Sequence, residues 1–348
     1  MKDWVKINFL KDRKAAKDEA EHISSLIANN LYPEKFTMPL TLQFELTARC
    51  NVHCKHCYNV SGENNSQPDA MTPQRWKDFA RYLVNHGGIF QCIISGGEPL
   101  LLGDDLFGIM DILHDDGTSF LVISNGLLMT REKAKRFTKY RYKWFQVSID
   151  GVSRERHDEF RQRAGSWDAA VKAVFILVNL GIPVTIAHTV TPESLHEVDA
   201  MCELAYSLGA SGIILGEVMP SGRSWLNPEI LMTREQRNIL NEAIAANTQK
   251  YAGRMQVQRS SGTKIQLLRA IGTPNAGAII RPNGDIRLDC VAPFVIGNVI
   301  SEDFCEVWRA KAADVWRRPE IQEYIDSWDD EDEINHGLRN YYDADVRL

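Results

Sequence analysis

The chain has 348 residues, 44% hydrophobic and 25% charged, the balance of a globular protein long enough to bury a core without disulfide staples. A net charge of −6 argues against a phosphate-binding surface for nucleic acid. No apolar run approaches the ~20 residues of a membrane span, and MKDWVKINFLKDRK at the start lacks the apolar core of a secretory signal, so a cytoplasmic protein is expected.

Residues 1–39 read as a helical, charged lead-in with a helix around 15–28, too short to be a domain. From Leu40 apolar strand-like runs alternate with amphipathic helices, the signature of βα units and a parallel sheet. The expected strands are 40–46, 90–95, 120–124, 144–149, 184–190 and 212–218. Thr72 and Pro73 open a helix whose apolar face is Trp76, Phe79, Ala80 and Leu83. Ser166 is the expected cap of a helix reaching Leu180, and Thr191-Pro192 the start of another, striped with Leu195, Val198, Cys202, Ala205 and Leu208. Six such units with right-handed crossovers predict an α/β fold, a partial (β/α)6 barrel over residues 40–222, with chemistry where strands end.

The pattern changes over 223–348. A helix is expected over 227–248, a hairpin at Arg281-Pro282-Asn283-Gly284, where Asn-Gly supplies positive φ, and a helix over 304–312. The acidic run 329–333 reads as a solvated loop.

Seven cysteines are an odd number, and three stand within eight residues, which is no disulfide framework. Cys50, Cys54 and Cys57 form C-x3-C-x2-C directly after the first strand. Three soft thiolates on one loop suit three corners of a [4Fe–4S] cluster and leave its fourth iron open. Zinc, with His53 or His56 as a further ligand, and unligated thiols are the alternatives. Ser95-Gly96-Gly97-Glu98-Pro99 ends the second strand: two glycines permit close backbone approach, and Glu98 offers a carboxylate to a ligand ammonium. Cys92 and Cys202 lie on apolar faces and read as core.

Taken together, the triplet, Gly96-Gly97-Glu98-Pro99, Ser124-Asn125-Gly126, Ser148-Ile149-Asp150-Gly151 and His157-Asp158-Glu159-Phe160-Arg161, in this order, resemble the radical SAM (S-adenosylmethionine) superfamily over about residues 40–218. The resemblance implies that Cys50, Cys54 and Cys57 hold one [4Fe–4S] cluster. It places His56 by the SAM adenine, Gly96, Gly97 and Glu98 at the methionine amino group, and Asn125 at the next polar strand end. Ser148 and Asp150 would reach the ribose or carboxylate, and Arg161 would clamp the carboxylate. An electron from an external reductant then cleaves SAM to a 5′-deoxyadenosyl radical, which takes a hydrogen atom from the substrate.

Ile279 to Arg287, Ile296-Gly297-Asn298-Val299 and Val307-Trp308 resemble the SPASM or twitch extension of peptide-modifying members, in a reduced form. Only Cys290 and Cys305 lie there, too few to close a second cluster; a hydrogen-atom donor role is the alternative to a buried thiol. The implied substrate is a ribosomally made precursor peptide, altered by crosslinking, epimerisation or backbone excision. A separate small protein would supply leader recognition. A radical SAM dehydrogenase or epimerase of a sugar or other small metabolite, and a catalytically inactive zinc-binding interaction protein, are the other readings.

Overall fold

The computed structural model describes residues 28–29, 36–62, 69–260, 263–272, 277–290, 292–312, 314–327 and 345–348. The expected helix at 15–28 and the acidic run 329–333 lie outside these, apart from residue 28. Strands β1 (Thr41–Glu45), β2 (Gln91–Ser95), β3 (Ser119–Ser124), β4 (Tyr142–Ser148), β5 (Val184–Val190) and β6 (Gly212–Glu217) lie side by side in sequence order, each parallel to the next. β3 (SFLVIS) has the near-continuous apolar run of a strand covered on both faces, with Phe120 and Val122 fully buried. The expected strands agree with these to within two residues at each end.

Two further strands extend the parallel run beyond six units. The short β7 (Gln256–Arg259) pairs with β6, and β8 (Gly277–Ile280) pairs with β1 on the other side. The sheet is not closed: among the described residues β7 is its outermost strand. From β8 the chain turns into β9 (Asp285–Arg287), with β10 (Phe294–Asn298) antiparallel to it and β11 (Val346–Arg347) alongside β10. The C-terminal hairpin is therefore continuous with the barrel sheet. Its turn closes through the Gly284 N–H on the Arg281 carbonyl at 2.9 Å. Gly284 alone takes positive φ (90°), so Asn283 occupies an ordinary turn position.

Helix α1 (Pro73–Asn85) starts as expected: the Thr72 hydroxyl accepts from the Arg75 N–H, and Trp76, Phe79, Ala80 and Leu83 are buried. The Trp76 Nε1–H donates to the Leu46 carbonyl at 3.0 Å, fixing the helix to the chain just past β1. α2 (Asp104–Asp115), α3 (Arg131–Phe137), α4 (Arg154–Arg161), α5 (Ser166–Asn179) and α6 (Val198–Ser207) complete the covering layer of the barrel.

Ser166 is the first residue of α5 and not its cap. The Asp158 carboxylate, from the preceding helix, accepts from Gly165 N, Ser166 Oγ and Trp167 N. Thr191 and Ser194 bond each other in a tight turn, which delays regular helix until Val198. The helix expected over 227–248 begins only at Thr233, whose hydroxyl caps α7 (Arg234–Lys250) in a box with Gln236. Among the described residues no helix is long and apolar enough to cross a membrane.

Candidate functional site at the strand ends

The three clustered cysteines lie on the loop that leaves β1. Cys54 is buried, and Cys50 and Cys57 are partly so. Burial pushes the Cys50 thiol up to about 12 and the Cys54 thiol up to about 11, the latter against the pull of Arg161.

Two glycines bring the end of β2 against the start of this loop. Gly97 N–H donates to the Thr47 carbonyl at 2.7 Å and Glu98 N–H to the Arg49 carbonyl at 3.0 Å. A Cβ on Gly97 would overlap the Arg49 carbonyl oxygen, and one on Gly96 (φ 130°) would sit 2.7 Å from the Thr47 oxygen.

The Glu98 carboxylate is fully buried and turned inward. Oε1 accepts from Leu100 N at 3.0 Å and Ser124 Oγ at 2.9 Å, and Oε2 from Asn125 N at 2.8 Å. Burial nonetheless raises its pKa. Its oxygens tie the end of β2 to the end of β3. Asn125 carries the linkage onward: its Nδ2 donates to Asn51 Oδ1 at 2.8 Å, and its own Oδ1 accepts from Leu127 N.

Asp150, after β4, is also engaged internally. One oxygen accepts from Arg161 Nε at 2.8 Å, the other from Thr189 N at 2.7 Å. Burial alone would raise its pKa, but the Arg161 charge together with the fields of His56, His188 and His157 holds it well below the usual carboxylate range. Asp150 N–H donates to His157 Nδ1 at 3.0 Å. His157 and His188 are fully buried, and among the described residues no partner is present for His157 Nε2, His188 Nε2 or His56 Nδ1. His188 Nδ1 faces the Ile149 carbonyl at 3.1 Å, so Nε2 is the ring's free acceptor. His56 stacks on Phe160 with centroids 4.7 Å apart.

These strand ends surround a cavity of about 380 Å³. His56, Gly96, Ser148, Arg161 and His188 line it on the cysteine-loop side, and Met219, Ser260, Gln266 and Cys290 line it elsewhere. Gln266 Nε2 lies 3.3 Å from Cys290 Sγ and 2.7 Å from Asp289 Oδ2. The structure thus separates the two extension cysteines. Cys290 is in the cavity wall, whereas Cys305 is buried with its sulfur 3.4 Å from Met38 Sδ. Cys92 and Cys202 are core residues, as expected. Glu98, Asn125 and Asp150 support the wall from behind.

Sequence reasoning missed the segment after β6. Ser221 to Asn227 folds back over the cysteine loop, and Arg223 donates to three of its carbonyls. The available signal, Ser-Gly-Arg-Ser after a strand, is indistinguishable from any βα turn.

Among the described residues no three His, Cys, Asp or Glu side chains converge on a point suited to a single metal ion. Three thiols spread over one loop, with the Arg161 and Arg223 charges acting on Cys54, fit a thiolate-held cluster.

Residues 44–205 match the Radical SAM superfamily. The chain is 30% identical over 231 residues to the antilisterial bacteriocin subtilosin biosynthesis protein AlbA of Bacillus subtilis, covering 64% of this chain and 49% of AlbA. It is 32% identical over 193 residues to the AdoMet-dependent heme synthase of Methanosarcina barkeri (55% and 54%), and 29% over 293 residues to the mycofactocin maturase MftC of Mycolicibacterium smegmatis (78% and 70%). The chain therefore spans about half the length of the first two relatives. Its fold is that of SuiB of Streptococcus suis, solved bound to the precursor peptide SuiA: TM-score 0.63, 15% identity, 89% of this chain and 70% of SuiB. It is likewise that of anSMEcpe with bound AdoMet, TM-score 0.62 at 14% identity, 82% of each chain.

Proposed function

We propose, from the premise that residues 44–205 are a radical SAM domain, that this chain is a radical SAM enzyme acting on a ribosomally made precursor peptide. The observation that carries the reading is the single cavity that joins Gly96, Ser148 and Arg161 on one side to Cys290 on another. Cofactor and substrate can meet there.

Cys50, Cys54 and Cys57 would hold one [4Fe–4S] cluster with an iron left for SAM, and this pair supplies a 5′-deoxyadenosyl radical when bound and reduced by an external one-electron donor. The protein's own contribution is placement. Gly96 and Gly97 let backbone stand where a side chain would fill the space, and Glu98 and Asn125 fix that turn to the cysteine loop. Nε and Nη2 of Arg161 are committed to Asp150, which sets the guanidinium plane at the cavity wall for a carboxylate. Ser148 offers a hydroxyl to the SAM ribose and His56 a flat apolar face to its adenine. Cys290 would return a hydrogen atom to a substrate radical, the resulting thiyl being restored to a thiol by an electron from the external donor and a proton from solvent.

A peptide substrate is supported by the relatives named as a bacteriocin biosynthesis protein and a mycofactocin maturase. Residues 40–222 act as the barrel and 223–348 as the reduced extension; a separate small protein supplies leader recognition. The heme synthases among the relatives favour a second reading, a small-metabolite substrate at the same cavity. The test is anaerobic turnover with dithionite and SAM, with a candidate precursor peptide in one arm and a tetrapyrrole in the other. A mass change in the peptide alone supports the peptide reading, and one in the tetrapyrrole alone replaces it.

A further inference from the structure

We propose that Arg223 is a positioning residue for the cysteine loop, governing how firmly that loop keeps its cluster and at what potential the cluster is reduced. The inference rests on the cluster assigned above, and the observations behind it are independent of the cysteine motif. Arg223 comes from the turn after β6, more than 160 positions along the chain from the loop it holds. Its backbone N–H donates to the Cys57 carbonyl at 2.9 Å, Nε to the Cys54 carbonyl at 2.8 Å and Nη1 to the Ser61 carbonyl at 2.8 Å. Asn227 Nδ2 adds a bond to the Lys55 carbonyl at 3.3 Å. The loop has no regular secondary structure, so these carbonyls need donors from elsewhere, and one buried guanidinium supplies two of them.

The neighbouring residues are shaped for the same approach. Gly222 has φ +64°, and a Cβ there would overlap the Cys57 carbonyl oxygen. The Ser224 hydroxyl accepts from Ser221 N at 2.9 Å and donates to the Met219 carbonyl at 2.6 Å, holding the turn closed. Met219 is also a cavity residue, so the clamp joins the cysteine loop to the substrate side of the wall.

Arginine suits the task because its planar fork meets two carbonyls in a fixed geometry, which a lysine ammonium cannot do. It also places a permanent positive charge beside the loop, with Nε against the Cys54 carbonyl. A cation there stabilises the more negative, reduced state of a cluster. Geometry and charge therefore predict separable effects.

The experiment uses anaerobically reconstituted wild type, Arg223→Gln, Arg223→Lys and Asn227→Ala. Iron release to a chelator and the midpoint potential, from a redox titration followed by electron paramagnetic resonance, are measured for each. Arg223→Gln should release iron roughly 10-fold or more faster, and its potential should move negative. Arg223→Lys should release iron faster while keeping a potential close to wild type, and Asn227→Ala should show the smaller release effect alone. Wild-type release and potential in Arg223→Gln overturn the proposal. If that variant does not fold, wild-type release in both Arg223→Lys and Asn227→Ala overturns it instead. A wild-type chain that takes up no iron–sulfur cluster removes the functional reading and this inference together; a loaded wild type with unmoved variants removes only this inference.

Discussion

Arg161 and Asp150 form a buried ion pair, with Nε 2.8 Å and Nη2 2.7 Å from the same carboxylate oxygen. Removing one partner leaves the other charge buried without compensation. Asp150→Ala should therefore lower unfolding stability by about 3–5 kcal/mol in urea titrations and weaken SAM binding by calorimetry. A loss below about 1 kcal/mol would mean that water reaches Arg161, contrary to its burial.

Acid should destabilise the fold through the buried histidines. Burial lowers the His157 pKa from 6.5 to about 4, and its Nδ1 must stay unprotonated to accept from Asp150 N–H. The unfolded chain binds this proton first. The stabilisation is thus full above pH 6.5 and is lost as pH falls from there towards about 4, by up to roughly 3 kcal/mol. Denaturation midpoints measured across that range should fall steeply in wild type and less steeply in His157→Gln. Equal slopes would remove His157 from the account.

Gly97 should tolerate no side chain. Gly97→Ala forces the Arg49 carbonyl away and opens the seat of the cysteine loop, so iron content after reconstitution should drop by more than half. Gly108→Ala is the matched control, since its added carbon meets only the flexible Lys77 chain, 2.9 Å from Cε. That change lies within α2 and should be neutral or stabilising by up to about 1 kcal/mol. Iron content that is equally low in both variants would show that the effect is not specific to the seat.

Much of this architecture was readable locally. The run Val184 to Val190 and the Thr72-Pro73 helix start announce themselves through short-range periodicity and capping. β7 did not, because a four-residue strand at the sheet margin carries too little pattern and is assigned by its neighbour, and nothing in the hairpin strand β8 announced that it pairs with β1. Glu98 and Asp150 were legible as special positions but not in orientation. A carboxylate after a strand reads the same in sequence whatever it faces, so the donors from Ser124, Asn125 and Thr189 were visible only in the fold. Arg223 was invisible because its partners are backbone carbonyls, which have no sequence signature.

The two extension cysteines should separate in function as they do in space. Cys305→Ala removes a packed sulfur and should cost about 1–2 kcal/mol without changing SAM cleavage. Cys290→Ala should keep both stability and 5′-deoxyadenosine formation while altering the product made from the substrate, as read by mass spectrometry. Unchanged products would leave Cys290 as a wall residue only. Iron analysis should give about four per chain in every case, as one cubane cluster requires.

The central claim is that the Cys50, Cys54 and Cys57 loop holds a cluster that activates SAM. The most direct measurement is 5′-deoxyadenosine release from anaerobically reconstituted protein given SAM and dithionite, with Cys50→Ala in parallel. The account predicts release by wild type and none by the variant. A fully iron-loaded wild type that leaves SAM intact, or a protein that instead retains zinc at these cysteines, would contradict it.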